Sequence, residues 1–173
     1  MGRGHGTSAG MRRLLPLLMG ALLAPPAVAE TVHWSVSVAA DQATLANGEE
    51  EDVSVRLYCT PHEGKLHFYA QLDHREAVKQ RGSTWVNAAG QAQPWKTRLT
   101  LRSGAASATM IAEANDNEDS GGTDVSIDLT PGGPVLTAFG ASGSMTAVAY
   151  GETVQVGPVA PAKVARLIRA CTK

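Results

Sequence analysis

The sequence predicts a mainly β fold, an antiparallel sandwich or small barrel with a C-terminal helix that one disulfide pins to it. Three observations predict this fold class. Short segments in which apolar and polar residues alternate recur along the chain, with turn-forming residues between them. One apolar stripe with helical spacing occurs at residues 161–171. The only two cysteines fall on faces that these patterns predict to be buried.

The N-terminal residues have the pattern of an export signal. An arginine pair at residues 12–13 precedes an apolar stretch at residues 14–25, and the Ala-Val-Ala of residues 27–29 is typical of a cleavage site. The apolar stretch is interrupted by prolines and is shorter than the roughly 20 residues that a spanning helix needs. We therefore predict that residues 1–29 are a leader and signal peptide that is cleaved. A single β-rich periplasmic or secreted domain would then comprise residues 30–173.

The charge of the predicted mature domain excludes one class of partner. Removing residues 1–29 takes away three arginines and no acidic residue, which leaves 12 basic and 16 acidic side chains. Proteins that bind nucleic acids usually carry a clustered basic face, whereas the basic residues here are scattered, apart from three at residues 163–169. We expect no nucleic-acid partner. We also expect no membrane span, because no segment after residue 29 is long and apolar enough.

Alternation predicts strands along most of the mature domain. They fall at residues 31–38, 53–59, 66–72, 97–102, 108–114, 125–129, 135–139, 145–150 and 153–156. The segment 53–72 is the clearest β-hairpin, with a turn at residues 60–64. Residues 47–52, an Asn-Gly pair followed by four acidic residues, are interpreted as a solvated loop. Residues 73–76 have the spacing of a capping box, so either one or two helical turns or a wide loop is expected there.

The last element is predicted to be a helix. Pro161 suits a first helical position. One apolar stripe at helical spacing is formed by Val164, Leu167, Ile168 and Cys171. Cys59 ends the apolar face of a strand, and in an oxidising compartment two cysteines on buried faces favour a bridge over two free thiols. Closing a loop of about 111 residues is worth roughly 4 to 5 kcal/mol in the chain-entropy model.

One cluster of residues has the chemistry of a zinc site. Its members are His62, Glu63, His67, Asp73, His74 and Glu76. However, His67 lies on the polar face of its strand, whereas His62 and His74 lie beyond opposite ends of that strand. Convergence on one ion is therefore awkward, and solvent-exposed histidines are the favoured interpretation.

The acidic segment 116–124 has some features of a calcium-binding loop. Gly121 occupies its sixth position, but Ile127 stands at the twelfth, where such a loop needs a bidentate glutamate. We interpret the segment as an acidic loop between strands. Serines, histidines and aspartates are plentiful, but there is no GxSxG elbow. We therefore predict no metal, no cofactor and no catalytic residue, and hence not an enzyme.

Features at the two ends of the mature domain carry a family resemblance. They are Trp34 in the first strand, the strand end Leu57, Tyr58 and Cys59, and the closing helix from Val164 to Cys171. This layout resembles small periplasmic accessory proteins associated with type VI secretion. The resemblance implies a non-enzymatic β-rich body closed by a terminal helix, with a binding or assembly role. It does not extend to residues 73–150, and Gly157 and Pro158 stand where a glycine alone is expected before the helix.

Three functions remain open on the sequence. The leading hypothesis is a non-catalytic periplasmic or secreted protein that binds another envelope protein or a cell-wall component, such as a secretion-system accessory. The alternative is a secreted inhibitor or immunity protein that blocks a cell-wall hydrolase, because a small acidic domain suits a basic enzyme electrostatically. The third is a hydrolase with an unrecognised site.

The export pattern generates the first prediction. When the full chain is expressed in a Gram-negative host, the protein recovered from the periplasm should begin at Glu30, because cleavage follows the Ala-Val-Ala of residues 27–29. N-terminal sequencing of the periplasmic fraction checks this. An intact N-terminus in the membrane fraction would contradict it.

Overall fold

The computed structural model describes residues 33–48 and 53–173, so the predicted leader and signal peptide at residues 1–29 lies outside them. In chain order the strands are β1 (Trp34–Val38), β2 (Ala43–Asn47), β3 (Val55–Cys59), β4 (Leu66–Leu72), β5 (Lys79–Arg81), β6 (Thr84–Val86), β7 (Trp95–Ser103), β8 (Ala106–Asn117), β9 (Gly122–Leu129), β10 (Met145–Ala149) and β11 (Glu152–Val156). The helices are α1 (Pro134–Ser142) and α2 (Pro161–Cys171). No helix in these ranges is long and apolar enough to cross a membrane.

Nine of the strands form one antiparallel sheet. Its order is β1-β2-β3-β4-β9-β8-β7-β10-β11, and β5 pairs with β6 in a separate small hairpin. The sheet curls into half of a barrel, so that its last strand approaches β4. At that point the Asp73 N–H, directly after β4, donates a hydrogen bond of 3.0 Å to Glu152 on β11. The predicted mainly β, antiparallel fold is confirmed in this form.

Both helices pack on the concave face of the sheet and complete the core there. Alternate residues of each central strand are buried on this face, as period-two geometry requires. The largest fully buried side chains include Leu45, Leu57, Leu66, Phe68, Leu99, Leu101, Phe139, Met145 and Leu167. Many strand positions between them are alanine, which lets the helices approach the sheet closely.

Helix α2 is held at its C-terminal end by the predicted disulfide, which is confirmed. Cys59 and Cys171 are bonded with their Cα atoms 5.7 Å apart, and both are fully buried. The last carbonyls of a helix lack intrahelical partners. Here those of Ala170 and Cys171 accept hydrogen bonds from the N–H groups of His62 and Gly64 in the β3–β4 turn. The covalent bond and the hydrogen bonds therefore fix the same helix end to the same hairpin.

The predicted strand at residues 135–139 is wrong, because this segment lies in helix α1. Val135, Leu136 and Phe139 are buried on one helical face. Pro134 begins the helix, and Gly143 ends it with a positive φ of 70°. A short apolar run fits a strand and a buried helix equally well. The position of the flanking proline and glycine decides for the helix.

Three short strands were not predicted. The structure also decides between the helical turns and the wide loop that were both expected at residues 73–76. Strand β2 has few large apolar residues, and β5 and β6 have three residues each. Residues 73–76 form a wide loop and not helical turns. Of the acidic segment 47–52, Asn47 is the last residue of β2 and its Oδ1 accepts the Val55 N–H at 2.6 Å, whereas residues 49–52 lie outside the described ranges.

The disulfide generates the second prediction. Replacing Cys171 by serine should lower the free energy of unfolding by about 2 to 5 kcal/mol, the usual cost of losing a native bridge in a small domain. Denaturant unfolding monitored by circular dichroism measures this loss. Cys59→Ser should cost the same, and the double variant should cost no more than either single one, because one bond is shared. Strictly additive single-variant losses would contradict the prediction.

Candidate functional site

The face of the sheet opposite the helices carries the candidate site. We call it the outer face and define it by Arg56, Tyr58, His67, Tyr69, Lys96, Ile111, Glu113, Asp124, Ser126 and Asp128. These residues alternate with core residues on β3, β4, β7, β8 and β9, so their side chains project away from the helices. Strand register aligns them in rows across the sheet. One row runs through Tyr58, His67 and Asp128, which are direct cross-strand partners.

An aromatic stack on the outer face joins β3 and β4. The rings of Tyr58 and His67 are 5.0 Å apart and 27° from parallel. His67 Nδ1 is 2.6 Å from one oxygen of Asp128, whose other oxygen is 3.5 Å from Lys65 Nζ. The histidine ring is therefore fixed in orientation by stacking on one side and by a carboxylate on the other, while about a third of its side chain stays exposed.

A second aromatic residue on this face is fixed by hydrogen bonds. The Tyr69 hydroxyl donates to Asp124 Oδ1 at 2.8 Å, and Asn117 Nδ2 donates to the same oxygen at 2.9 Å. Burial raises the pKa of Tyr69 far above its ordinary value, and the hydrogen bond and negative charge of Asp124 raise it further. The phenol therefore remains neutral and continues to donate throughout the physiological pH range.

Two shallow grooves cross the outer face and meet at Tyr58. We call the first the acidic groove, because Glu118, Asp119 and Asp124 line it. Its lining also includes Arg56, Tyr58 and Tyr69. We call the second the histidine groove, because its lining includes Tyr58, His67, Lys96, Ile111, Glu113 and Asp128. Each has a volume of about 530 Å³. Together they give this face two adjoining depressions lined by aromatic, apolar and charged side chains.

Ile111 is the main apolar feature of the outer face. Its side chain is 64% exposed at the edge of the histidine groove. Within the described ranges, the other large hydrophobic residue exposed to this degree is Val78, at 56%, which precedes β5 and is not on this face. A single exposed hydrophobic residue is normal, but Ile111 occupies a strand position where alternation predicts a polar side chain. It would lose this exposure if a partner covered the face.

The residues considered for a zinc site lie in three different places. His62 is in the β3–β4 turn with Nδ1 3.2 Å from the Thr172 carbonyl, and His67 is on the outer face. His74 lies beyond β4, stacked on Tyr150 at 4.2 Å with Nε2 3.2 Å from Glu76. Across residues 33–48 and 53–173, no three His, Cys, Asp or Glu side chains are grouped so that they could hold a metal ion.

The acidic segment 116–124 is shorter as a loop than the sequence suggests. Strand β8 continues to Asn117 and β9 begins at Gly122, so the turn comprises four residues. Asn117 Oδ1 accepts the N–H groups of Asp119 and Ser120, both at 3.1 Å, in an Asx-type turn. Gly121 completes it with a φ of +72°. The carboxylates of Glu118 and Asp119 are thereby presented beside the outer face.

Residues 73–94 form a segment that covers one end of the sheet. Trp85 Nε1 donates to Glu118 at 2.6 Å, and the guanidinium of Arg75 lies 5.4 Å from the centre of the Trp85 ring. The Glu76 N–H donates to the buried hydroxyl of Thr123 at 3.1 Å. These contacts attach the segment to β8, β9 and the turn that joins them, so it also supports the acidic groove from the side.

Asp116 lies under this segment in an unfavourable environment. By alternation it shares the concave side of β8 with the buried Ala112 and Ala114. Both carboxylate oxygens are shielded from solvent and have no hydrogen-bond partner among the described residues. Desolvation raises the pKa of this carboxyl, opposed by the charge of Arg75. Ionised Asp116 therefore costs stability.

The residues of the outer face were not identified as a site from the sequence. They come from five strands, and only the register of the sheet brings them together. The signal that was available is the residue type at the polar positions of the strands. Tyr58, Tyr69 and Ile111 occupy such positions, where small or charged residues are the usual choice for a solvated face.

Comparison with known proteins gives no relative to guide the interpretation, since no protein-family model, no curated protein and no solved structure matches the chain.

Asp116 generates the third prediction. Asp116→Asn should raise the free energy of unfolding at pH 7 by about 1 kcal/mol, because it removes a desolvated charge. The folded-state pKa is raised, so the penalty is absent below the ordinary carboxyl value of 3.8 and grows as the pH rises above it. Denaturant unfolding at pH 4 and pH 7 should show a gain that is larger at pH 7.

A matched control is available on the neighbouring β8–β9 turn. Asp119 is exposed, so Asp119→Asn should change the unfolding free energy by less than about 0.5 kcal/mol. A loss of stability in Asp116→Asn at pH 7 would show that the carboxylate has a stabilising partner in solution.

Proposed function

We propose that this protein is an exported, non-catalytic binding protein that recognises another envelope protein or a cell-wall component through its outer face. The observation that carries the proposal is the character of that face. It combines aromatic rings fixed by stacking and hydrogen bonds, two grooves that meet at Tyr58, and the exposed Ile111. Aromatic residues held rigidly beside polar groups are the usual anchors of recognition surfaces.

The division of the sheet into two faces supports this assignment. The helices and the disulfide fill the concave side, so the fold is stabilised there. The outer-face residues contribute little to that core. Their ordered arrangement, in which His67 and Tyr69 each have a fixed carboxylate partner, reduces the conformational entropy that a partner would have to remove on binding.

Export is part of the proposal and is supported by two features. Residues 1–29 have the pattern of a signal peptide, and the disulfide is of the kind that forms and persists in oxidising compartments such as the periplasm. A role as an accessory of a secretion system is one form of this function. In that case the partner would be another component of the secretion machinery.

The fourth prediction tests the binding face. Immobilised residues 30–173 should capture a partner from an envelope extract or co-sediment with isolated cell walls, and Ile111→Asp should abolish or strongly reduce this, because a charge would be desolvated in the interface. Mass spectrometry of the captured proteins and sedimentation of the walls are the measurements.

Val78→Asp is the matched control for that experiment. It introduces the same charge at a similarly exposed residue that lines neither groove, so capture should stay as in the unaltered protein. Equal capture by Ile111→Asp and Val78→Asp would place binding elsewhere and overturn the proposal for this face.

A further inference from the structure

We infer that the acidic groove accepts an extended, lysine- or arginine-bearing segment of a partner protein. This inference rests on the proposed function, because it names the chemistry of the partner that the outer face recognises. The ligand of the groove is then a basic protein segment and not a carboxylate-rich cell-wall polymer. Three features of the groove carry it: its charge, its tyrosines and its continuity with the exposed Ile111.

The charge of the groove is strongly unbalanced. The carboxylate oxygens of Asp116, which also contributes to the lining, are shielded from solvent. The remaining charged groups of the lining are three carboxylates, those of Glu118, Asp119 and Asp124, and the guanidinium of Arg56. Within the described part of the chain, none of these four groups forms an ion pair with another residue. A concave surface lined by one sign of charge attracts the opposite charge and speeds its association.

Hydrogen bonds fix two of these carboxylates in position. Asp124 Oδ1 accepts from Tyr69 and Asn117, and Glu118 Oε1 accepts from Trp85 Nε1. A carboxylate held in this way offers its remaining lone pairs to a donor at little entropic cost. Lysine ammonium and arginine guanidinium groups are the protein donors that match such acceptors in both charge and geometry.

The two tyrosines favour a cationic side chain over a small inorganic cation. Tyr58 and Tyr69 both line the groove. A tyrosine ring attracts a cation over its face and also packs against the methylene stem of lysine or arginine. The groove volume of about 530 Å³ lies within the range of roughly 300 to 1,000 Å³ that is typical of ligand sites. It is large enough for side chains and not only for an ion.

Continuity with the histidine groove favours an extended segment. Tyr58 lines both grooves, so a chain bound in the acidic groove can continue toward Ile111. Basic residues would then occupy the first groove, and an apolar residue would cover Ile111. A cell-wall polymer rich in carboxylates would instead meet like charge in the acidic groove, which disfavours it.

The test uses fluorescein-labelled deca-lysine and deca-glutamate as probes of the folded protein, residues 30–173, in low-salt buffer by fluorescence anisotropy. Deca-lysine should bind and deca-glutamate should not. The double variant Glu118→Gln with Asp119→Asn should weaken deca-lysine binding by about tenfold. Both substitutions are isosteric, and glutamine can still accept the Trp85 N–H.

The matched control removes two carboxylates from other turns, Asp41 from the β1–β2 turn and Glu63 from the β3–β4 turn. Asp41 and Glu63 are both exposed and lie outside the groove, so Asp41→Asn with Glu63→Gln should weaken binding by less than about twofold. Equal weakening by both double variants would show that deca-lysine responds to net charge alone and would overturn the inference, as would the absence of deca-lysine binding.

The two proposals can fail separately. If a partner captured from the envelope depends on Ile111 but is retained by Glu118→Gln with Asp119→Asn, the binding face is supported and the basic-segment inference is overturned. If deca-lysine binds in the groove but Ile111→Asp and Val78→Asp capture a partner equally, the groove chemistry is supported and the proposed binding face is overturned.

Discussion

The concave face of a nine-stranded sheet has to be filled by two helices of nine and eleven residues, and this constraint shapes the rest of the protein. So few residues can close the core only if the helices lie very close to the strands and stay there. Alanines on the concave face permit the close approach. The bond between Cys59 and Cys171, together with the β3–β4 turn that receives the helix end, keeps α2 in place. A marginally stable domain of this size gains a large share of its stability from such a link.

The position of the segment that leads into α2 follows from the same constraint. Gly143 ends α1 at a point where a Cβ atom would lie 1.9 Å from the Val159 carbonyl oxygen, and Gly143 and Val159 are joined by a backbone hydrogen bond of 2.8 Å. Only glycine permits this approach. The segment that leads into α2 is therefore positioned by the end of α1 as well as by the disulfide. Each end of α2 is fixed by a different part of the chain, which leaves the helix little freedom to move away from the sheet.

Because the core is completed on the other side of the sheet, core packing does not constrain the side chains of the outer face. Its ordered features, the Tyr58–His67 stack and the Tyr69–Asp124 pair, are not needed to bury apolar surface. The segment 73–94 adds to this arrangement by supporting the β8–β9 turn through Trp85 and Glu118, although it also shields the ionisable Asp116 at some cost in stability. The cost at Asp116 and the exposure of Ile111 support the binding role that we propose for this face.

The sequence by itself determined the β-rich class, most of the strands, the terminal helix and the disulfide, because each is encoded in a local period and Cys59 and Cys171 were the only candidates for a bridge. Apolar periodicity alone did not determine helix α1, because a short apolar run such as residues 135–139 fits both the period of a strand and that of a helix. It also did not reveal β2, whose small residues give a weak signal. The candidate site was decided only by the tertiary structure: Tyr58, Tyr69, Ile111 and Asp119 become neighbours through the register of strands distant in sequence, and no local period records which strands lie side by side.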